Sequence, residues 1–117
     1  MDVTIEQQGS TSVVRPAGRL DFGAAAGFQT KVDEALAGAG SKPAAVIIDA
    51  SGLDYVSSAG LRVFLVGARN AKNAGIGLSV CNLQPTVREV FEVSGFDRII
   101  TIAGTLDEAI AAVGSRD

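Results

Sequence analysis

Two adjacent serines, Ser57 and Ser58, follow an apolar run that ends in Asp49 and a polar connector from Ala50 to Ser58. Helix-forming sequence with Leu61, Phe64, Leu65 and Ala68 on one face comes next. At such a junction Ser57 suits the N-cap, its hydroxyl accepting from the N–H of residue 59 or 60. Ser58 then lies in the first turn, where backbone N–H groups are unpaired and the helix dipole is positive. Ala59 and Gly60 leave the approach to that hydroxyl uncrowded. A phosphate or similar anion on Ser58 would gain ~0.3–1 kcal/mol from its own helix. The same residues also have plainer uses: two serines as caps, Asp49 as a loop-fixing acceptor, Asp21 as the cap of the helix after it. Spacing alone does not choose between these readings.

Other chemistries are poorly supported. There is no His, which excludes Ser-His-Asp and Cys-His sites. Cys81 is the only cysteine, so the common zinc sites and an intramolecular disulfide are absent, and a reducing compartment is favoured. Asp49, Ser51 and Asp54 could in principle hold a hard cation. However, there is no EF-hand spacing, no P-loop and no G-x-G-x-x-G, and Gly75-Ile76-Gly77 is too short and precedes a strand. No metal and no cofactor are expected, and the chain is not read as an enzyme.

These groups need a frame. The 117 residues make one domain, 1–117, able to bury roughly two-thirds of its unfolded surface. Hydrophobic residues at 47% and charged residues at 20% are globular values. Val3 and Ile5 alternate with polar residues and, with Val13 and Val14 beyond Gly9-Ser10, predict a hairpin whose second strand is an edge or ends at Pro16. Gly18-Arg19-Leu20-Asp21 is then a loop. Ala25, Phe28, Val32, Ala35 and Leu36 predict a helix from about Ala24 to Ala37, ended by Gly38, Gly40 and Pro43. Ala44 to Ile48 reads as a strand covered on both faces. A helix from about Ser58 to Asn73 and a strand from Gly75 to Cys81 follow. A helix opened by Pro85 and closed by Gly95 comes next. A short strand, Arg98 to Ala103, precedes a helix with Thr105 and Glu108 at capping-box spacing and Leu106, Ala109, Ile110 and Val113 on one face. The order β-β-α-β-α-β-α-β-α implies an α/β domain. Its mixed, mostly parallel sheet has about five strands, with an N-terminal hairpin and about four helices.

Three pieces together, Gly18-Arg19-Leu20-Asp21, Ile48-Asp49-Ala50-Ser51 and Ser57-Ser58-Ala59-Gly60-Leu61, resemble the STAS domain of bacterial anti-sigma factor antagonists. The likeness runs along essentially the whole chain. It implies a protein that binds an anti-sigma factor or switch kinase of the GHKL ATPase type and frees what that partner held. The partner phosphorylates a serine at the start of the second long helix, and a PPM-type phosphatase restores it. Matching through Gly60 puts that serine at Ser58, with Ser57 as the alternative. Asp21, Ser57, Ser58, Gly60 and Arg62 become partner-binding residues, and Gly18, Asp49 and Ser51 motif residues that hold the shape. The family often has Asp before the modified serine and Ser or Thr after it; Ser57 and Ala59 stand there instead. The likeness also suggests a monomer. An alternative within the family is a scaffold or lipid-transport ATPase subunit that binds proteins without a phosphorylation switch.

A response-regulator-like receiver phosphorylated on Asp49 shares this order of elements, but its acid pair after the first strand and lysine after a late strand are not apparent. The net charge of −3 is poor footing for direct nucleic-acid binding. Apolar stretches such as Val63 to Ala68 are far short of the ~20 residues of a spanning helix. Asp2 and Glu6 stand where a signal peptide would carry bases. The expectation is a soluble cytoplasmic protein that does not touch the membrane.

Overall fold

A computed structural model describes residues 1–38 and 45–114, without the side chains of 113 and 114. The expected hairpin is present. Strand β1 (Asp2–Gln8) pairs antiparallel with β2 (Thr11–Leu20) in an unbroken register from Asp2↔Ala17 to Gln8↔Thr11. Helix α1 (Phe22–Ala37) follows, then β3 (Ala45–Asp49), β4 (Gly52–Val56) and α2 (Ser58–Ala74). The chain continues through β5 (Gly77–Cys81), α3 (Pro85–Val93), a 3₁₀ turn at Phe96–Arg98, β6 (Thr101–Ala103) and α4 (Leu106–Gly114). The main path of the sheet is β1-β2-β3-β5-β6, and every pairing except the hairpin is parallel. The α/β class, the mostly parallel sheet and the N-terminal hairpin are as the sequence implies.

Three elements differ from that reading. The connector after Asp49 contains a sixth strand, β4, paired with β2 from Ala17↔Gly52 to Leu20↔Val56. Its buried residues, Leu53 and Val56, stand three apart because the register shifts between Gly18 and Arg19. A bulge of that kind hides the alternation by which a strand is recognised. The supposed loop Gly18-Arg19-Leu20 is the end of the ten-residue strand β2. Pro16 does not end β2, and the side of the strand away from β1 is unpaired there. It falls between the Thr11–Val14 stretch that pairs with β3 and the Ala17–Leu20 stretch that pairs with β4. The strand expected from Arg98 is confined to Thr101–Ala103, because Gly95, with φ 76°, opens the 3₁₀ turn first. Ala44, Gly40 and Pro43, and the side chain of Val113, lie outside the described residues.

The two sheet faces are covered unequally. On one face α1, α2 and α3 bury Phe28, Val32, Val63, Phe64, Val87 and Phe91 against Val14, Val46, Ile48 and Val80. Phe28, Phe64, Phe91 and Phe96 form a chain of tilted and edge-on rings with centroids 5.0–6.0 Å apart. Such pairs add ~0.5–1.5 kcal/mol each beyond their burial. On the other face α4 packs Ala109, with Leu106 and Ile110, against Ile47 and Cys81. Thr105 Oγ1 accepts from the Glu108 N–H at 3.1 Å, while the Glu108 carboxylate takes the N–H of Gly104 at 3.2 Å. The capping-box spacing is therefore used, with the return bond one residue earlier than usual.

Gly27 lies within α1 on its exposed side, and a Cβ there would meet nothing within 4 Å. Glycine in a helix interior costs ~0.5–1 kcal/mol against alanine. Gly27→Ala is expected to stabilise the fold by about that amount, read as a higher urea midpoint with unchanged slope.

Candidate functional site

The site is built at the carboxyl ends of β2 and β4, where the chain leaves the sheet twice into helices. After Leu20, the exposed Asp21 takes an extended backbone and its Oδ1 accepts from the Ala24 N–H at 2.9 Å, capping α1. After Val56, Ser57 does the same for α2: its Oγ accepts from the Gly60 N–H at 3.1 Å and its carbonyl from the Leu61 N–H at 2.9 Å. The Ser57 N–H donates to the Leu20 carbonyl at 2.9 Å, which joins the two exits. Gly60 seals the joint. A Cβ built there would lie 2.6 Å from Leu20 Cγ and 3.0 Å from the Leu20 carbonyl oxygen.

This packing separates the two serines. Ser57 is half-buried, and its hydroxyl is engaged as the cap. Ser58 is exposed, in the first turn of α2. Arg62, one turn further on, is also exposed. Gly60 is buried against Leu20, so it shapes the surface from below. Gly18 has φ 108°, a conformation open to glycine and strained for other residues, and sits beside the register shift of β2. Sequence reasoning missed Phe22, whose ring is 84% exposed right after Asp21, and Arg19, whose guanidinium lies 4.2 Å from the Tyr55 ring centre. The bulge that hid β4 also hid the pairing that brings Arg19 opposite Tyr55.

Asp49 and Ser51 stand behind the site as a brace. Asp49 is buried at the end of β3, where its Oδ1 accepts from the Ser51 N–H and from Asn82 Nδ2, both at 3.1 Å. Its Oδ2 faces Arg15 Nε at 3.4 Å, and Arg15 in turn reaches Glu6 at 3.4 Å. Gln84 Nε2 donates to the Ser51 carbonyl at 3.0 Å and fixes the turn into β4 from the other side. Asn82 holds φ 58°, one of the few non-glycine settings in which that is tolerated. Burial alone would push the Asp49 carboxyl up. The bonds from Asn82 and Ser51, with the Arg15 charge, outweigh burial and hold it below its ordinary value. The lowered carboxyl stabilises the fold above the unfolded value near ~3.9, and that contribution is lost as pH falls through the folded value. Asp49→Asn is expected to be less stable than wild type at pH ~7 and to lose less on acidification below pH ~4, as urea titrations at the two pH values would show. The same burial, with the Asp49 charge, pushes the Cys81 thiol up to about 11, which leaves it unreactive at neutral pH.

Among the described residues no group of His, Cys, Asp and Glu could hold a metal ion, and no helix is long and apolar enough to cross a membrane. Asp54 is taken up in the brace, with Gln84 Nε2 3.3 Å from its Oδ1.

Comparisons with known proteins agree with this fold. A protein of Bordetella bronchiseptica named as an anti-sigma factor antagonist, BtrV, is 48% identical over 67 residues. That match takes in 57% of this chain and 58% of BtrV, so it spans little more than half of either. The anti-sigma factor antagonist SpoIIAA, solved in its unphosphorylated form, superposes with a TM-score of 0.79 at 26% identity, covering 99% of both chains. The Bacillus cell fate determinant SpoIIAA in its phosphorylated form superposes with a TM-score of 0.70 at 27% identity, covering 96% of this chain and 99% of that one. Residues 2–109, from the hairpin to the last helix, match the STAS domain family, and the chain belongs to it.

Proposed function

We propose that the protein is an anti-sigma factor antagonist whose binding is switched at Ser58. In this reading the unmodified protein docks on an anti-sigma factor of the GHKL ATPase type and displaces what that partner held. The partner transfers phosphate from ATP to the Ser58 hydroxyl and so ends the interaction, and a PPM-type phosphatase restores the hydroxyl. The observation that carries the reading is the division of labour at the start of α2: Ser57 is committed to the cap, while Ser58 is exposed among unpaired helix N–H groups. The names of BtrV and SpoIIAA, and the existence of SpoIIAA in both phosphorylation states, support it.

The exposed Asp21 and Arg62 join Ser58 in the docking surface, and Ser57 and Gly60 set its shape from beneath. The chemistry belongs to the kinase; this chain supplies a positioned hydroxyl and a helix end that accommodates the product.

Incubation with a GHKL-type kinase and ATP, followed by mass spectrometry, tests the site. Ser58→Ala is expected to take no phosphate. Ser57→Ala is expected to remain a substrate but to lose ~1 kcal/mol of stability with its cap. Wild-type phosphorylation of Ser58→Ala would move the site to Ser57.

A further inference from the structure

Phe22 is 84% exposed, whereas Phe28, Phe64 and Phe91 are 0–1% exposed and Phe96 packs against them. The ring of Phe22 therefore contributes almost nothing to the core, and the fold has no use for an aromatic there. Single exposed apolar residues are common, and position is what distinguishes this one. Phe22 is the first residue of α1 and Ser58 the first of α2. Both helices start at the same end of the sheet, at the carboxyl ends of β2 and β4, and the Leu20–Ser57 hydrogen bond joins their starts. With ~3.8 Å between successive Cα atoms and ~5–6 Å across that bond, Phe22 and Ser58 are no more than about 18 Å apart. A protein interface of standard size covers ~800 Å² per partner, a patch roughly 30 Å across. A partner whose interface of that size is centred between the two helix starts covers both Ser58 and Phe22.

We propose that Phe22 is the apolar anchor of the docking surface, and that the protein that reads Ser58 offers it an apolar pocket. This rests on the reading of Ser58 given above. Binding energy concentrates in a few desolvated aromatic and arginine side chains surrounded by weaker contacts. Around Ser58 the exposed aromatics are Phe22 and Tyr55, and Tyr55 is 39% exposed and occupied by Arg19. Phe22 thus sets how tightly the partner holds, and Ser58 sets whether it holds. Val93, 82% exposed at the far end of α3, serves as a control of similar exposure outside the surface.

The test is calorimetric titration of a purified GHKL-type anti-sigma factor from the source organism with wild type, Phe22→Ala, Val93→Ala and Ser58→Glu. Phe22→Ala is expected to weaken binding about 30-fold or more with the thermal midpoint unchanged, and Val93→Ala to stay within about twofold. If Phe22→Ala binds within about twofold of wild type while Ser58→Glu does not bind, the anchor is wrong and the Ser58 reading stands. If wild type and Ser58→Glu bind alike, the Ser58 reading falls and the anchor with it. Sizing chromatography closes the remaining route: self-association of wild type that Phe22→Ala abolishes would give the ring to a second copy and overturn the proposal.

Discussion

Phosphorylated on Ser58, the protein is expected to bind its anti-sigma partner about 30- to 5,000-fold more weakly than the bare form. Two opposing electrostatic effects set this outcome. In the free protein the phosphate adds about −1.5 to −2 of charge beside the unpaired N–H groups of α2, a favourable placement of ~0.3–1 kcal/mol. In a docked complex the same charge is stripped of water against the partner's surface, and an unpaired buried charge costs ~2–5 kcal/mol. The second effect exceeds the first, so the proposed switch is expected to act on binding and to leave the fold in place. Ser58→Ala is expected to bind like the bare protein and Ser58→Glu weakly, by calorimetry. Circular dichroism of the phosphorylated protein is expected to match that of the bare one; loss of helix on phosphorylation would show that the switch works by unfolding instead.

The second large effect is structural. Gly60→Ala is expected to lower stability by ~1–3 kcal/mol, the usual cost of overpacking. The new Cβ would meet Leu20 Cγ at 2.6 Å and Cδ2 at 2.8 Å, and Leu20 is fully buried. Retreat of the backbone is opposed as well, because the Leu20 carbonyl is tied to the Ser57 N–H. The gain of ~1 kcal/mol in helix propensity that alanine brings offsets only part of this. A drop in thermal midpoint of several degrees or more is expected for a domain of ~100 residues. Gly27→Ala, the same change in the other helix with open space around it, is expected to shift the midpoint upward. Equal behaviour of the two variants would show that the joint at Leu20 is looser than its geometry.

Most of this architecture is written in local pattern. The recurrence of Phe28, Val32 and Ala35, the buried run ending at Asp49 and the Ser57 cap each obey a short-range rule, and each element lies where its rule puts it. Strand β4 obeys a long-range one. Gly52–Val56 is extended because β2 offers it the edge left free past Val14, and the shift at Gly18/Arg19 scrambles the period by which a strand announces itself. Of the site, the caps at Ser57 and Asp21 were legible because caps are local, whereas Ser58 was singled out by the family resemblance. Phe22 was not legible, since exposure depends on what fails to pack over a residue. The Asp49 brace was half legible: its acceptor role follows from its place at a strand end, whereas Arg15 and Asn82 reach it from positions 34 and 33 residues away.

Under the proposed reading, the joint between Leu20, Ser57 and Gly60 bears on how a kinase must meet Ser58. Many phosphorylated serines sit in slack segments that thread into an enzyme's cleft and are known by a short string of neighbours. Here the hydroxyl stands on a platform assembled from two exits of a finished sheet. A peptide cut from around Ser58 lacks that platform, and so does a nascent chain still on the ribosome. In that reading the folded protein is the substrate, and a peptide spanning Ser58 is expected to take phosphate poorly.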